Sequence, residues 1–215
     1  MSKVSILGSG SVGEVLGNGF LKHGHDVLRA SREPQKLADW KAKAGAKAQT
    51  GTLAEAGAWG EIIVLAVKGT AAEAVVEAAG VKNLAGKLVL DTTNPIAELP
   101  PENGVLRFFT DLNQSLMERL QKQAPDAHFV KAFSCVGGPF MVNPTLPGGP
   151  PTMFICGNSA DAKSKAKQLL EAFGWDVADM GKVESARAIE PLCMLWCIPG
   201  LSGGSWSHAF KQLRA

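Results

Sequence analysis

Three glycines near the N-terminus, Gly8, Gly10 and Gly13, stand at G-x-G-x-x-G spacing within Gly8-Ser9-Gly10-Ser11-Val12-Gly13. That pattern suits contact with a pyrophosphate. The first glycine permits a tight turn, the second lets the ligand approach bare backbone, and the third lets a helix pack closely on a strand. The free N–H groups and positive dipole end of the helix then face a doubly charged ligand. A second group follows at Ser31, Arg32 and Lys36, where a dinucleotide-binding fold reads the ribose 2′ position. A carboxylate there holds the 2′-hydroxyl of NAD. A hydroxyl, a guanidinium and an ammonium suit the 2′-phosphate of NADP, each charge-assisted bond contributing about 1.5–3 kcal/mol. NADP is the expected cofactor, although Glu33 lies in the same cluster, and a small shift of register puts its carboxylate near the ribose. A third group lies beyond later strands. Ala66, Ala132 and Ser134 leave room for a ribose or nicotinamide, while Thr93 and Asn94 offer hydrogen bonds. The dipeptide Asn94-Pro95 also reads as a plain turn former.

These groups need elements to bring them together. Apolar runs of strand length occupy residues 3–8, 26–30, 61–67, 87–92 and 128–133, with amphipathic segments at 11–22, 34–44, 70–79 and 113–124. Near-continuous Val, Ile and Leu predicts strands buried on both faces, hence a doubly wound, mostly parallel α/β sheet of the Rossmann type. Residues 136–152 hold four glycines and five prolines, which predicts a long irregular loop, either an acceptor site or a connector. Beyond it come a strand at 153–157, a helix at about 159–173, a short strand at 175–180 and a helical segment at about 184–197. The expected organisation is a nucleotide-binding domain over 1–150 and a small C-terminal α/β lobe over 151–215.

Composition excludes several classes. Hydrophobic residues are 46% and charged residues 20% of the 215, a globular balance. The net charge of +2 is spread among interspersed signs, so no nucleic-acid stripe is expected. The N-terminus runs directly into a strand pattern without signal-peptide features, and the apolar stretch Leu192–Leu201 is too short for a bilayer, so a cytoplasmic location and no membrane partner are expected. Cys135, Cys156, Cys193 and Cys197 lack the spacing of a zinc or redox motif and read as buried free thiols. His23, His25, His128 and His208 are scattered, and no catalytic nucleophile or metal cluster is expected. Trp196 and Trp206, with Phe210, read as core, a lid over the second substrate, or a homodimer contact.

Over nearly its whole length the chain resembles the family of NADP oxidoreductases dependent on the deazaflavin coenzyme F420. The segments that carry the likeness are ILGSGSVG, ASREPQK, DTTNPI, VKAFSCVG, GGPPTMFICG and ESARAIEPLCMLW. The resemblance implies hydride transfer between the nicotinamide and a stacked deazaflavin or flavin-like acceptor. It further implies that Ser31, Arg32 and Lys36 hold the 2′-phosphate, and that Ala66, Val67, Asn94, Ala132 and Phe133 line the nucleotide and nicotinamide path. Lys68 and Ser134 join them as neighbours of that path, Ser134 standing where relatives commonly have Asn. The same fold is similar to the reductase domain of membrane metalloreductases. Two other readings share the fingerprint: a hydroxyacid dehydrogenase or imine reductase, and a non-catalytic NADPH-binding sensor.

Overall fold

The computed structural model describes residues 1–214. Six strands, β1 (Lys3–Leu7), β2 (Asp26–Ala30), β3 (Ala48–Gly51), β4 (Ile62–Leu65), β5 (Leu88–Asp91) and β6 (His128–Lys131), form one sheet in the order β3-β2-β1-β4-β5-β6. Every pairing is parallel, with β1 central between β2 and β4. This is the doubly wound Rossmann topology, and its chain reversal falls beside β1.

The crossovers explain the alternation of buried side chains. Val4, Ile6, Val27, Ile62, Val64, Leu88 and Leu90 face one apolar layer, which holds Leu16 and Phe20 of α1 (Ser11–Lys22) and Trp40 of α2 (Ala38–Ala44). Leu7, Leu28, Ile63, Leu65, Val89 and Phe129 face the other, packed on α3 (Leu53–Trp59), α4 (Gly69–Ala79) and α6 (Leu116–Gln123), while α5 (Val81–Leu84) caps the turn into β5. A parallel sheet needs both layers because neither of its faces is polar.

β3 and α3 have no counterpart in the apolar pattern. The four residues of β3, Ala-Gln-Thr-Gly, carry no strand signal of their own and are ordered by pairing with β2. α3 did carry a signal in its start: Thr52 and Glu55 form a reciprocal capping box. The segment expected as one helix over 34–44 splits into a 3₁₀ turn at Pro34–Leu37 followed by α2.

The C-terminal elements are β7 (Thr152–Ile155), α7 (Ala160–Ala172), β8 (Asp176–Asp179), α8 (Ala186–Ile189) and α9 (Pro191–Leu201). β7 and β8 pair in parallel, and the backbone of Lys131 bonds to Cys156 to join them to β6. Met153, Ile155, Leu170 and Phe173 share the apolar layer of Val4 and Ile6. The helix expected to end near residue 197 is interrupted at Glu190, just before Pro191, and extends to Leu201. Part of the loop packs inward: Met141 is buried, its carbonyl accepts from Trp175 Nε1 at 2.9 Å, and Val142 lies where a Cβ on Gly19 would come within 2.5 Å. Among the described residues no helix is long and apolar enough to cross a membrane.

α6 and α8 are joined by Glu118, whose carboxylate closes the cap of α6 on Ser115 and receives Arg187 Nε at 3.1 and 3.0 Å. That bond to Arg187 holds the Glu118 carboxyl below its ordinary value, against the opposing effect of burial. A depressed folded value gives stability that is present above about pH 4.3 and is lost as pH falls through the folded value. Glu118→Gln is therefore expected to lower the melting temperature at neutral pH and to flatten its fall below about pH 4.3, read by calorimetry across a pH series.

Candidate functional site

The crevice opens at the carboxyl ends of β1 and β4, beside the topological reversal. Gly8 holds φ +146°, and a Cβ there would lie 2.1 Å from the Ala66 carbonyl oxygen. A Cβ on Gly13 would lie 2.7 Å from the Gly8 carbonyl oxygen, so turn, helix and β4 end meet backbone to backbone. Gly10 differs: its Cβ position meets nothing within 4 Å and faces open space. It caps α1 with an extended backbone and no side-chain bond, and Glu14 N–H is the first to enter the helix ladder, at 3.0 Å from Gly10 O. The amides of Ser11, Val12 and Gly13 thus remain as donors at the mouth of the crevice.

Three adjoining cavities follow the carboxyl edge. One of about 160 Å³ gathers Gly8, Ser31, Arg32 and Lys36 over an apolar wall of Leu53, Ala74 and Val75. The next, about 450 Å³, brings together Ser9, Gly10, Ser11, Val12, Ala66 and Lys68, with Arg32 at its rim. The third, about 550 Å³, includes Val67, Lys68, Thr92, Asn94, Ile96 and Leu99. Gly13 is buried behind Gly8. Ala132, Phe133 and Ser134 are also buried and open onto none of these three cavities. They reach the crevice through Asn94, whose Nδ2 donates to the Ser134 carbonyl at 3.0 Å. Phe133 adopts φ +60°, a conformation costly for a side chain of its size, and this turn presents that carbonyl. Asn94 Oδ1 and Ser134 Oγ are left buried without partners among the described residues.

Glu33 and Lys36 form an ion pair at 2.8 Å, and the Glu33 backbone N–H donates to Ser31 Oγ at 3.2 Å. Lys36 holds the Glu33 carboxyl below its ordinary value. The four cysteines are unpaired, three of them buried, and burial pushes the Cys135 and Cys156 thiols up to about 12. Trp196 Nε1 donates to the His208 carbonyl at 2.9 Å and its ring lies against His208 and Trp206, which makes it an internal clasp, while Trp206 stays 44% exposed.

Beneath Asn94 lies a set of charges absent from the sequence reading. Lys131, fully buried in β6, places Nζ 2.6 Å from Asp91 of β5, 2.9 Å from Glu190 and 2.8 Å from the Thr93 carbonyl. Asp91 Oδ1 also accepts from the Thr93 N–H and hydroxyl at 2.9 and 2.6 Å. Glu190, between α8 and α9, accepts the Leu116 and Met117 amides at the start of α6, each at 3.0 Å. Burial disfavours the ammonium, yet the two carboxylates outweigh it and hold its pKa above the ordinary value. The signal was present as charged residues inside the apolar runs KLVLDT and HFVKAF, but spacing alone does not say that they meet.

Fold and crevice together define a Rossmann-type α/β protein whose sheet edge is bordered by free helix amides and by Arg32 and Lys36. The family model described as NADP oxidoreductase, coenzyme F420-dependent, matches residues 3–95. A candidate F420-dependent NADP-reductase of known structure from Arthrobacter sp. FB24 is 30% identical, with TM-score 0.92 and 100% of both chains covered. The metalloreductase STEAP3 of Rattus norvegicus is 30% identical over 203 residues, 93% of this chain but 38% of the rat protein, so the chain spans well under half of that relative. An imine reductase from Aspergillus terreus shares the fold at 18% identity, with TM-score 0.67 over 91% of this chain and 60% of its own. The chain belongs to the F420-dependent NADP oxidoreductase family, whose members are NADP-dependent oxidoreductases.

Removing the lysine leaves two buried carboxylates without their counter-charge. Lys131→Met is expected to destabilise the fold by about 3–5 kcal/mol in urea denaturation at pH 7. A loss under about 1 kcal/mol would mean that the carboxylates find water or protons at little cost.

Proposed function

We propose that the protein transfers a hydride between NADP(H) and a deazaflavin (F420) or flavin-like acceptor. The observation that carries this is the pair of features sharing one crevice: uncapped amides at the start of α1, and the cavity holding Ser31, Arg32 and Lys36. The residues fit the cofactor, since the cradle around Gly10 is open where a Cβ would project and closed by backbone at Gly8 and Gly13. In this reading Gly8, Ser9, Gly10, Ser11, Val12 and Gly13 hold the pyrophosphate, and Ser31, Arg32 and Lys36 hold the 2′-phosphate. Lys36 would exchange its bond to the Glu33 carboxylate for the phosphate.

Ala66, Val67 and Lys68 then border the path between the two ends of the nucleotide. Asn94 Oδ1, buried and unpartnered at the edge of the third cavity, suits the N–H of a carboxamide, with Ala132, Phe133 and Ser134 packed behind it. The cavity beyond Asn94 is the place for the acceptor ring. Bound NADPH supplies the hydride. The chain has to orient two rings and exclude water rather than provide a nucleophile.

Residues 1–150 serve as the nucleotide-binding part and 151–215 as the smaller lobe bracing it. A homodimer accords with the apolar surface left on and after α9 by Leu195, 54% exposed, Leu201 and Trp206. The four unpaired cysteines suit the reducing cytoplasm.

Arg32→Ala is expected to weaken NADPH binding at least tenfold, the loss of one charge-assisted bond, and to leave NADH binding nearly unchanged in fluorescence titrations. Equal losses would remove the 2′-phosphate assignment. The acceptor is tested by following the NADPH absorbance band with F420, free flavins, quinones, ferric chelates, cyclic imines and hydroxyacids. Oxidation with F420 or flavin is expected; turnover of an imine or hydroxyacid alone, or tight binding without any turnover, overturns the reading.

A further inference from the structure

Arg29 is a charged residue where the sheet asks for an apolar one. It is the fourth residue of β2, 1% exposed, on the face that carries Val27 into the apolar layer. Its guanidinium lies under the start of α1. Nη2 donates to the Gly10 carbonyl at 3.3 Å, and Nη1 stands 3.8 Å from the Glu14 carboxylate. The guanidinium carbon is 4.7 Å from the centroid of the Trp40 ring, which is itself held by a 2.8 Å bond from Nε1 to Asn18 Oδ1. Gly17 makes the space, since a Cβ there would sit 3.2 Å from Arg29 Cδ. Nε and Nη1 have no hydrogen-bond partner among the described residues. Such a group is expensive to bury, and Glu14, half exposed and not in hydrogen-bond contact, offsets it only in part. A Val or Leu at this position would fill the layer at less cost, so stability does not explain the arginine.

The peptide it touches does. The Gly10 carbonyl and the Ser11 N–H belong to one planar unit and point in opposite directions. Gly10 O accepts from both Arg29 and the Glu14 N–H, so the plane is pinned from below and the Ser11 N–H is aimed outward into the crevice. A donor on the carbonyl also polarises the amide on its far side, strengthening it as a donor.

We propose that Arg29 is a positioning residue for the cofactor's pyrophosphate: it fixes and polarises the Gly10–Ser11 peptide from beneath and sets a buried positive charge under the helix start. The inference rests on the nucleotide reading above, and it separates from the 2′-phosphate cluster because its ligand group is common to NADPH and NADH.

The test uses the full chain with Arg29→Met, which keeps an unbranched side chain against Trp40, and Arg29→Lys, which keeps the charge but loses the planar fork. NADPH, NADH and 2′-AMP are titrated against each, 2′-AMP carrying the 2′-phosphate but no pyrophosphate. Arg29→Met is expected to weaken NADPH and NADH by a similar factor, roughly tenfold, with 2′-AMP changed by less than about twofold and Arg29→Lys falling between. Should Arg29→Met fail to fold, Arg29→Lys carries the test, with a parallel loss of several-fold for both dinucleotides and 2′-AMP unmoved. Unchanged dinucleotide affinity overturns the inference, and so does a loss confined to NADPH and 2′-AMP. A loss of all three ligands assigns Arg29 to general packing and overturns it as well. Wild-type protein that binds neither NADPH nor 2′-AMP removes the nucleotide reading itself, and this inference with it.

Discussion

The buried ammonium of Lys131 is the constraint on which the arrangement of this molecule hangs. A fully desolvated cation in the last strand of the main sheet is tolerable only where acceptors surround it, and here they come from β5, from the turn after β5 and from the junction of α8 and α9. Those contacts fix the relation between sheet edge and C-terminal helices far more narrowly than apolar packing does, since a carboxylate that slips leaves a charge uncompensated. Glu190 extends the network to the first amides of α6, where the helix dipole offsets the excess negative charge of two carboxylates on one lysine. Thr93, gripped at its carbonyl, its N–H and its hydroxyl, is thereby immobilised one residue before Asn94.

Across the crevice the opposite economy holds: backbone meets backbone with almost no side chains between. Gly8 clears the Ala66 carbonyl and Gly13 clears Gly8, which draws the end of β4 against the turn after β1. The free helix amides, Arg29 below them and the Arg32 and Lys36 side chains beside them gather positive potential in a chain whose net charge is only +2. Local geometry, not overall charge, concentrates cationic groups and free amides at this edge.

The C-terminal segment packs on the first half of the chain rather than standing apart from it. Phe20 of α1 lies 4.9 Å from Phe173 at the end of α7, and Val142 fills the space that Gly19 leaves on the same helix. The Gly/Pro-rich stretch, which reads as irregular and holds only a 3₁₀ turn at Gly138–Phe140, nonetheless carries buried Met141 and a backbone bond from Asn143 to Phe173. Pro and Gly prevent regular structure there without preventing close packing.

Much of this was legible in the residues. Apolar runs of Val, Ile and Leu dictate strands buried on both faces, the glycine spacing after the first run dictates a turn into a helix, and Ser31, Arg32 and Lys36 fall at the end of the second strand because chain distance along a β-α-β unit is nearly fixed. β3 was invisible because its four residues carry no pattern, and only the edge of β2 makes them a strand. Tertiary structure alone decided that Lys131, Asp91 and Glu190 share one buried site, that Arg29 reaches under Gly10, and that Phe133 turns through positive φ to offer the Ser134 carbonyl to Asn94. Periodicity records which face a residue takes, a local property. Meetings between charges dozens of residues apart depend on how the layers stack, and no spacing along the chain encodes that.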